Sequence, residues 1–270
     1  MVKIIALQAC RHGIGCSHLV ANLAVILMNC GYRVGLLETD LQAGGIRTLF
    51  GLDKSLAQDT QAYWWLSSNA KKTPALQTDL CRYEIAYENK ATGIYLPAVG
   101  DGLAANSEQF RVWQERYDAE KPFDVFQGLS QDLALDFLLV DNQPEMTNDN
   151  LMGLSIADVS VVLMQLDTYD LQRTAVLLEV IKQLEVVKTW LVPTLVLPSI
   201  ERGVVKHMLE NTYGYPVAGI LHLSDEMASF ASQGLFCLHY PKHFLTQTMM
   251  TIAHQLEQDA QALSMFSKQS

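Results

Sequence analysis

The 270-residue chain is predicted to be a doubly wound α/β domain, a mostly parallel sheet with helices on both faces. Three observations carry that expectation. Short apolar runs alternate with amphipathic stretches along nearly the whole length, the pattern of βα units rather than of hairpins. The N-terminal segment holds a complete strand–helix–strand unit, with a glycine-bearing turn between its first strand and its helix. Acidic residues close several apolar runs: Glu38 and Asp40 after the second, Asp141 after a later one. In open α/β sheets that strand edge is where ligands bind.

Residues 3–8 are too uniformly apolar for a half-exposed strand and read as a buried one. The turn Cys10-Arg11-His12-Gly13-Ile14-Gly15-Cys16-Ser17-His18 follows. Residues 17–30 then take helical spacing, with Leu19, Leu23, Val25, Ile26 and Leu27 on one broad face. Gly31 stands where a helix C′ glycine adopts the left-handed conformation without a Cβ clash. Residues 33–38 form a second buried strand, and a right-handed crossover brings the turn and the acidic strand end to one edge.

Further along, Tyr63-Trp64-Trp65-Leu66 reads either as aromatic anchors on the domain's own core or as a contact patch. Residues 93–99 read as a strand closed by Gly100-Asp101-Gly102. Residues 107–120 read as a polar helix ended by Pro122, and 123–133 as another helix. Residues 136–141 and 158–164 are apolar strands. Residues 169–187 form an amphipathic helix, with Leu171, Ala175, Leu178, Ile181 and Leu184 on one side. Residues 190–197 read as a strand at an edge or irregular position, because Pro193 has no N–H to donate. A helix over 201–213 stopped by Gly214, a short strand over 217–221, a helix from Ser224 to Gly234 and a closing helix over 244–266 complete the chain. No repeat or linker interrupts it, so residues 1–270 read as one domain.

Composition narrows the function classes. An apolar content of 49% supplies a sizeable core. The net charge of −10 argues against sequence-independent nucleic-acid binding, which needs clustered Lys and Arg. Apolar runs stop short of a membrane span, and residues 1–3 enter a strand without the pattern of a signal peptide. Within residues 244–270 Lys268 is the only Lys or Arg, so the last helix is poorly suited to an anionic lipid surface. Five irregularly spaced cysteines read as reduced thiols. Together these place the protein in the cytoplasm.

A strand, a glycine turn and a helix start form a phosphate cradle, because backbone N–H groups and the helix dipole converge there. In order along the chain, the motifs resemble the ParA/MinD family of deviant Walker-A ATPases. Arg11-His12-Gly13-Ile14-Gly15-Cys16-Ser17-His18 is similar to that family's Lys-Gly-Gly-x-Gly-Lys-Thr/Ser-Thr loop. Glu38-Thr39-Asp40-Leu41-Gln42 is similar to its Asp-x-Asp-x-Gln segment, and Asp141 takes the place of the Walker-B acid. Residues 157–178, Leu223-Ser224-Asp225-Glu226-Met227 and Gln233-Gly234-Leu235-Phe236 extend the likeness through the second half.

The resemblance implies a P-loop NTPase fold, ATP or ADP with Mg²⁺ as cofactor, a homodimer, and a protein partner or cargo adaptor. It implies that Gly13, Ile14, Gly15, Cys16, Ser17 and His18 cradle the nucleotide, and that Ser17, Asp40 and Asp141 serve the metal. Asp40 is the implied positioner of attacking water, and Arg11 stands where a signature Lys reaches into the partner's site. The departures matter as much. Cys16 replaces the Lys that neutralises phosphate charge, and a thiol is no substitute for that cation. His12 replaces a glycine, Glu38 is longer than the aspartate it replaces, and Leu197-Pro198-Ser199 replaces the adenine-contacting Asn.

The implied function is therefore positioning or partitioning of a cellular cargo through self-association and partner binding, with weak nucleotide binding and impaired hydrolysis. Two alternatives stay open. One is an active ATPase whose lysine comes from elsewhere, Lys54 or Lys206 being candidates; the other is a nucleotide-free scaffold or regulator. Two further readings concern the loop's soft residues. Cys10, His12, Cys16 and His18 are metal-ligand types at a spacing unlike usual zinc motifs. Cys16 at a helix start reads as a reactive thiol of lowered pKa or as an inert buried one.

Overall fold

A computed structural model describes residues 2–39, 45–51, 80–87, 90–97, 130–131, 133–144, 146 and 148–266. In chain order the elements are β1 (Lys3–Ala9), α1 (Cys16–Asn29), β2 (Arg33–Glu38), α2 (Gly45–Leu49), β3 (Leu80–Tyr87), β4 (Lys90–Pro97) and β5 (Phe137–Asp141). They continue with α3 (Asn148–Ser155), β6 (Val159–Met164), α4 (Thr168–Gln183), β7 (Lys188–Pro193), α5 (Arg202–Tyr213), α6 (Asp225–Phe230), α7 (Phe236–His239) and α8 (Phe244–Phe266).

β1 is buried at every position because it has neighbours on both edges and helices over both faces. The seven strands run in the order β3-β4-β2-β5-β1-β6-β7. All neighbouring pairs are parallel except β3 with β4. Alternation along the strands divides the core in two. Ile5, Leu7, Val161 and Leu163 face α1 and α8, which supply Leu23, Leu27, Met249 and Ile252. Ile4, Ala6, Val140 and Val162 face the other way, toward Leu154 of α3, Leu177, Leu178 and Ile181 of α4 and Leu209 of α5. The doubly wound architecture is thus observed.

α1 explains its own broad apolar face: every residue from Leu19 to Met28 is buried, since sheet, α8 and α7 surround it. Its one buried polar side chain, Asn22, is satisfied twice. Nδ2 donates to His18 O at 2.7 Å, and Oδ1 accepts the Cys237 N–H at 2.8 Å, which fastens α7 to α1. α8 is pinned at its far end, where Asp259 accepts from Trp190 Nε1 at 2.8 Å and pairs with Lys188. No described helix is long and apolar enough to cross a membrane.

Several expectations are corrected. Residues 217–221 do not form a full strand. Val217 bridges Leu191 on the outer edge of β7, and a second isolated bridge joins His222 to Val196 past the end of that strand, because Pro193 interrupts the donor row. The strand expected over 190–197 starts at Lys188 and ends at Pro193; Leu195 then turns left-handed at φ 52°. The helix expected to reach Gly234 ends at Phe230, where Ala231 and Ser232 take φ of 48° and 58°. β3 was not expected, although Leu80-Cys81-Arg82-Tyr83-Glu84-Ile85 pairs residue by residue with β4. The 107–120 helix, most of the 123–133 helix, and Trp64-Trp65 lie outside the described residues.

Burial pushes the Cys237 thiol up from 9.0 to about 11. The folded value lies above the unfolded one, so the stability this group contributes is complete below pH 9 and is lost as pH rises through about 11. The expected loss is about 2–3 kcal/mol. Urea unfolding at pH 8 and pH 11 reads it, and Cys237→Ala should flatten the difference.

Candidate functional site

The turn between β1 and α1 is shaped by two glycines in the left-handed region, Gly13 at φ 80° and Gly15 at φ 96°. A Cβ on either would meet nothing within 4 Å, so open space lies directly over the loop backbone. Gly15 is the N-cap of α1, and no side chain caps the helix. The N–H groups of its first turn therefore face an opening, the arrangement that binds anions. That opening is a cavity of about 270 Å³ lined by residues of the 11–18 loop together with Gly45, Thr48 and Asp141.

Asp141 ends β5 directly between Leu7 of β1 and Glu38 of β2 and is 4% exposed. Cys16 lies against it. Burial, then the negative charge of Asp141, then a hydrogen bond from the thiol to that carboxylate raise the Cys16 pKa well above the usual thiol range. This direction favours the reading of Cys16 as an inert thiol over the reactive one. Desolvation and a neighbouring anion outweigh the helix dipole, and Cys16 is a protonated donor.

Ser17 is held close to α2. A Cβ on Gly45 would come within 3.1 Å of Ser17 Oγ and 3.5 Å of Glu38 Oε1, so a side chain there would push the hydroxyl by a few tenths of an ångström. The longer Glu38 turns its Oε1 to the Ile46 N–H at 3.2 Å and so caps the start of α2. One residue on, Thr39 is tied down three ways. Its N–H donates to Asp141 O at 3.0 Å, its Oγ1 donates to Asn150 Oδ1 at 2.7 Å, and the same oxygen accepts the Gln143 N–H at 3.0 Å. The ends of β2 and β5 are thus clasped side by side. Asp40 itself lies outside the described residues, as do Gln42 and Lys54.

Arg11 is engaged within its own chain. Nη2 lies 3.5 Å from Asp167 Oδ2 and Nε 4.0 Å from Asp170 Oδ2. Asp167 is the N-cap of α4 and accepts the Asp170 N–H at 2.9 Å. Asp170 is fully buried and accepts the Gln165 N–H at 2.6 Å. These acids escaped sequence reasoning, although Asp-x-x-Asp at a helix start is a capping signal. His12 is exposed beside the cavity. Lys206 pairs with Glu210 on α5 at 3.9 Å and lines neither cavity at the loop.

The soft residues part company. The Cys10 sulfur sits 3.8 Å from Thr174 Oγ1, Cys16 faces Asp141, and His18 Nε2 meets Ser232 Oγ at 2.9 Å. Among the described residues no three His, Cys, Asp or Glu side chains converge as metal ligands. Burial lowers the pKa of His18, which keeps its ring neutral at neutral pH. A second cavity of about 280 Å³ adjoins the first. Its walls are mostly apolar, with Leu19, Leu221, Met227 and Met249, and Thr194 beside them.

Gly13, Gly15 and the uncapped α1 terminus fit a phosphate group, and Ser17 and Asp141, which line the same cavity, are oxygen donors of the type Mg²⁺ takes. Cys16 does not fit the charge of a triphosphate. Comparison with known proteins gives a partly matching picture. The curated iron-sulfur cluster carrier protein of Aquifex aeolicus is 49% identical over 49 residues, which is 18% of this chain and 14% of that protein's length.

Solved structures match much further. The MinD of Pyrococcus horikoshii, complexed with Mg-ADP, superposes with a TM-score of 0.69 at 17% identity, covering 95% of this chain and 96% of that one. The ParA family ATPase of Chlorobium tepidum gives 0.68 at 15%, covering 94% and 99%. The MinC:MinD cell division protein complex of Aquifex aeolicus gives 0.67 at 13%, covering 95% and 96%. The AAA domain family matches residues 2–191. The chain accordingly belongs to the AAA domain family and carries the fold of the MinD and ParA ATPases.

Proposed function

We propose that this chain is a single-domain, cytoplasmic ParA/MinD-like positioning or partitioning protein. It works through homodimerisation and binding of a partner protein or cargo adaptor, holds nucleotide weakly and hydrolyses it poorly. The observation that carries this reading is the pairing of an intact backbone cradle with Cys16 and Asp141 in place of a phosphate-facing cation. Backbone N–H groups of Gly13 to Ser17 would hold the phosphates, and Ser17, Asp40 and Asp141 would hold Mg²⁺, with Asp40 also assigned to the water by resemblance. The nucleotide, when bound, supplies a γ-phosphate whose presence distinguishes two states of the chain. Losing one charged contact to phosphate costs about 1.5–3 kcal/mol. It costs more where charge develops in a transition state, so hydrolysis suffers before binding does.

The relatives lend support in kind: a MinD was solved with Mg-ADP and another with its partner MinC. A second reading, the nucleotide-free scaffold, is favoured by one contact, since the Cys16 thiol donates to the carboxylate that would serve the metal.

Calorimetry with Mg²⁺–ATP, phosphate release and sedimentation test these together. The expected result is weak saturable binding, no turnover, and nucleotide-dependent dimers that Arg11→Ala abolishes. Tight binding with turnover that Asp40→Ala removes would sink the proposal in favour of an active ATPase. No binding at millimolar nucleotide would select the scaffold.

A further inference from the structure

We propose that His18 and Ser232 form the sugar-binding pair of the site and hydrogen-bond the ribose hydroxyls of a nucleotide; this rests on the nucleotide reading above. The two cavities at the loop differ in chemistry and meet at one place. The first is lined by backbone of the glycine loop, Ser17 and Asp141, the second by leucines and methionines. Both are bounded by Gly13, Ile14, Gly15, His18 and Ser232. A nucleotide has the same order, a charged end, a hydroxyl-bearing ring and a flat, largely apolar base. What stands at the junction therefore faces the sugar.

Two of the junction residues bring polar side chains there, and they already touch. His18 Nε2 and Ser232 Oγ are 2.9 Å apart, although 214 residues separate them in sequence. Each end of that contact is fixed by its own surroundings. His18 sits in the first turn of α1, where its carbonyl accepts from the buried Asn22. Ser232 is presented by a backbone that pays for its shape: Ala231 and Ser232 are successive non-glycine residues in the left-handed region. Gln233 N donating to Phe230 O at 3.0 Å closes that turn, and Phe230 is anchored edge-on to Phe236. Strained conformations of this sort gather at ligand-binding positions.

The chemistry also matches. A serine hydroxyl and an imidazole each offer hydrogen-bonding capacity without charge, as does a vicinal diol. Ser232 is solvent-exposed, so its hydroxyl turns toward a ligand without uncovering a buried group. His18 Nδ1 is enclosed and has no partner among the described residues, so Nε2, the ring atom at the Ser232 contact, is the one that meets a ligand.

The test compares Mg²⁺–ADP with its 2′-deoxy and 3′-deoxy forms by calorimetry on the unmodified chain and on Ser232→Ala. The unmodified chain is expected to bind at least one deoxy form about five- to tenfold more weakly, the worth of one neutral hydrogen bond. Ser232→Ala is expected to bring ribo and deoxy affinities together. Equal affinities in the unmodified chain, or discrimination that survives Ser232→Ala, would overturn the assignment while leaving nucleotide binding intact. No measurable affinity for any of the three would instead remove the nucleotide reading and this pair with it. The comparison on the unmodified chain stands even where the variant fails to fold.

Discussion

Cys16→Lys is expected to tighten Mg²⁺–ATP binding by one to two orders of magnitude, read by calorimetry against the unmodified chain. A charged hydrogen bond to phosphate is worth about 1.5–3 kcal/mol, and each 1.4 kcal/mol is about tenfold in affinity. The location favours the gain. Position 16 opens α1 behind a loop whose Gly13 and Gly15 leave free space in front of the backbone. The carboxylate of Asp141 gives the ammonium a partner when nucleotide is absent, replacing a thiol donor with a stronger one. An unchanged affinity would mean that the obstacle is His12 and the course of the loop rather than the missing charge. Phosphate release is a separate readout, because on the proposed reading it needs Asp40 to position the water as well as a charge at position 16 for the transition state.

Phe236→Ala is expected to lower folding stability by about 3–5 kcal/mol, the range for emptying a large buried aromatic site. Phe236 is fully buried in the α1–α8 half of the core. Its ring stacks on Tyr240 at 4.8 Å and meets Phe230 and His243 edge-on at 5.9 and 5.0 Å. The cluster cannot collapse into the gap easily, since α7 is tied to α1 through Asn22 and the Cys237 N–H. Urea unfolding followed by circular dichroism measures the loss. Tyr169→Ala is the comparison: with 60% of its surface exposed it should change stability by no more than about 0.5 kcal/mol.

Much of this architecture is legible in the sequence because burial wrote it there. β1, β2, β5 and β6 are covered on both faces, so each shows as a mostly apolar run, with Gln8 and Ser160 the polar interruptions within β1 and β6. The α8 boundaries, Phe244 to Phe266, follow from helical spacing alone. The glycine loop and Asp141 declare themselves by residue type and by falling at strand ends. What stayed hidden depends on contacts distant in sequence. Nothing near Arg11 announces Asp167 and Asp170, and nothing near His18 announces Ser232. The thiol pKa of Cys16 could not be had from its helix position, because burial, and then a carboxylate 125 residues away in the chain, raise it. The end of α6 was misplaced for a related reason: Ala231 and Ser232 accept a conformation that local preference reserves for the nearby glycine.

The hold on Arg11 makes the loop behave as a detent. Asp170 is wholly enclosed, its Oδ1 has no hydrogen-bond partner among the described residues, and Arg11, 4.0 Å from Oδ2, is the counter-ion found there. An arginine that swings out to serve a second subunit leaves that carboxylate stranded in the interior. On the proposed reading, in which Arg11 crosses to a second subunit, pairing of two chains thus begins uphill. Crowding them together is a poor trigger, and a ligand that rewards the freed guanidinium is a good one. If the proposed dimer forms through Arg11, the solitary chain is the resting position, and the catch that keeps it there is a buried acid on the helix behind the loop.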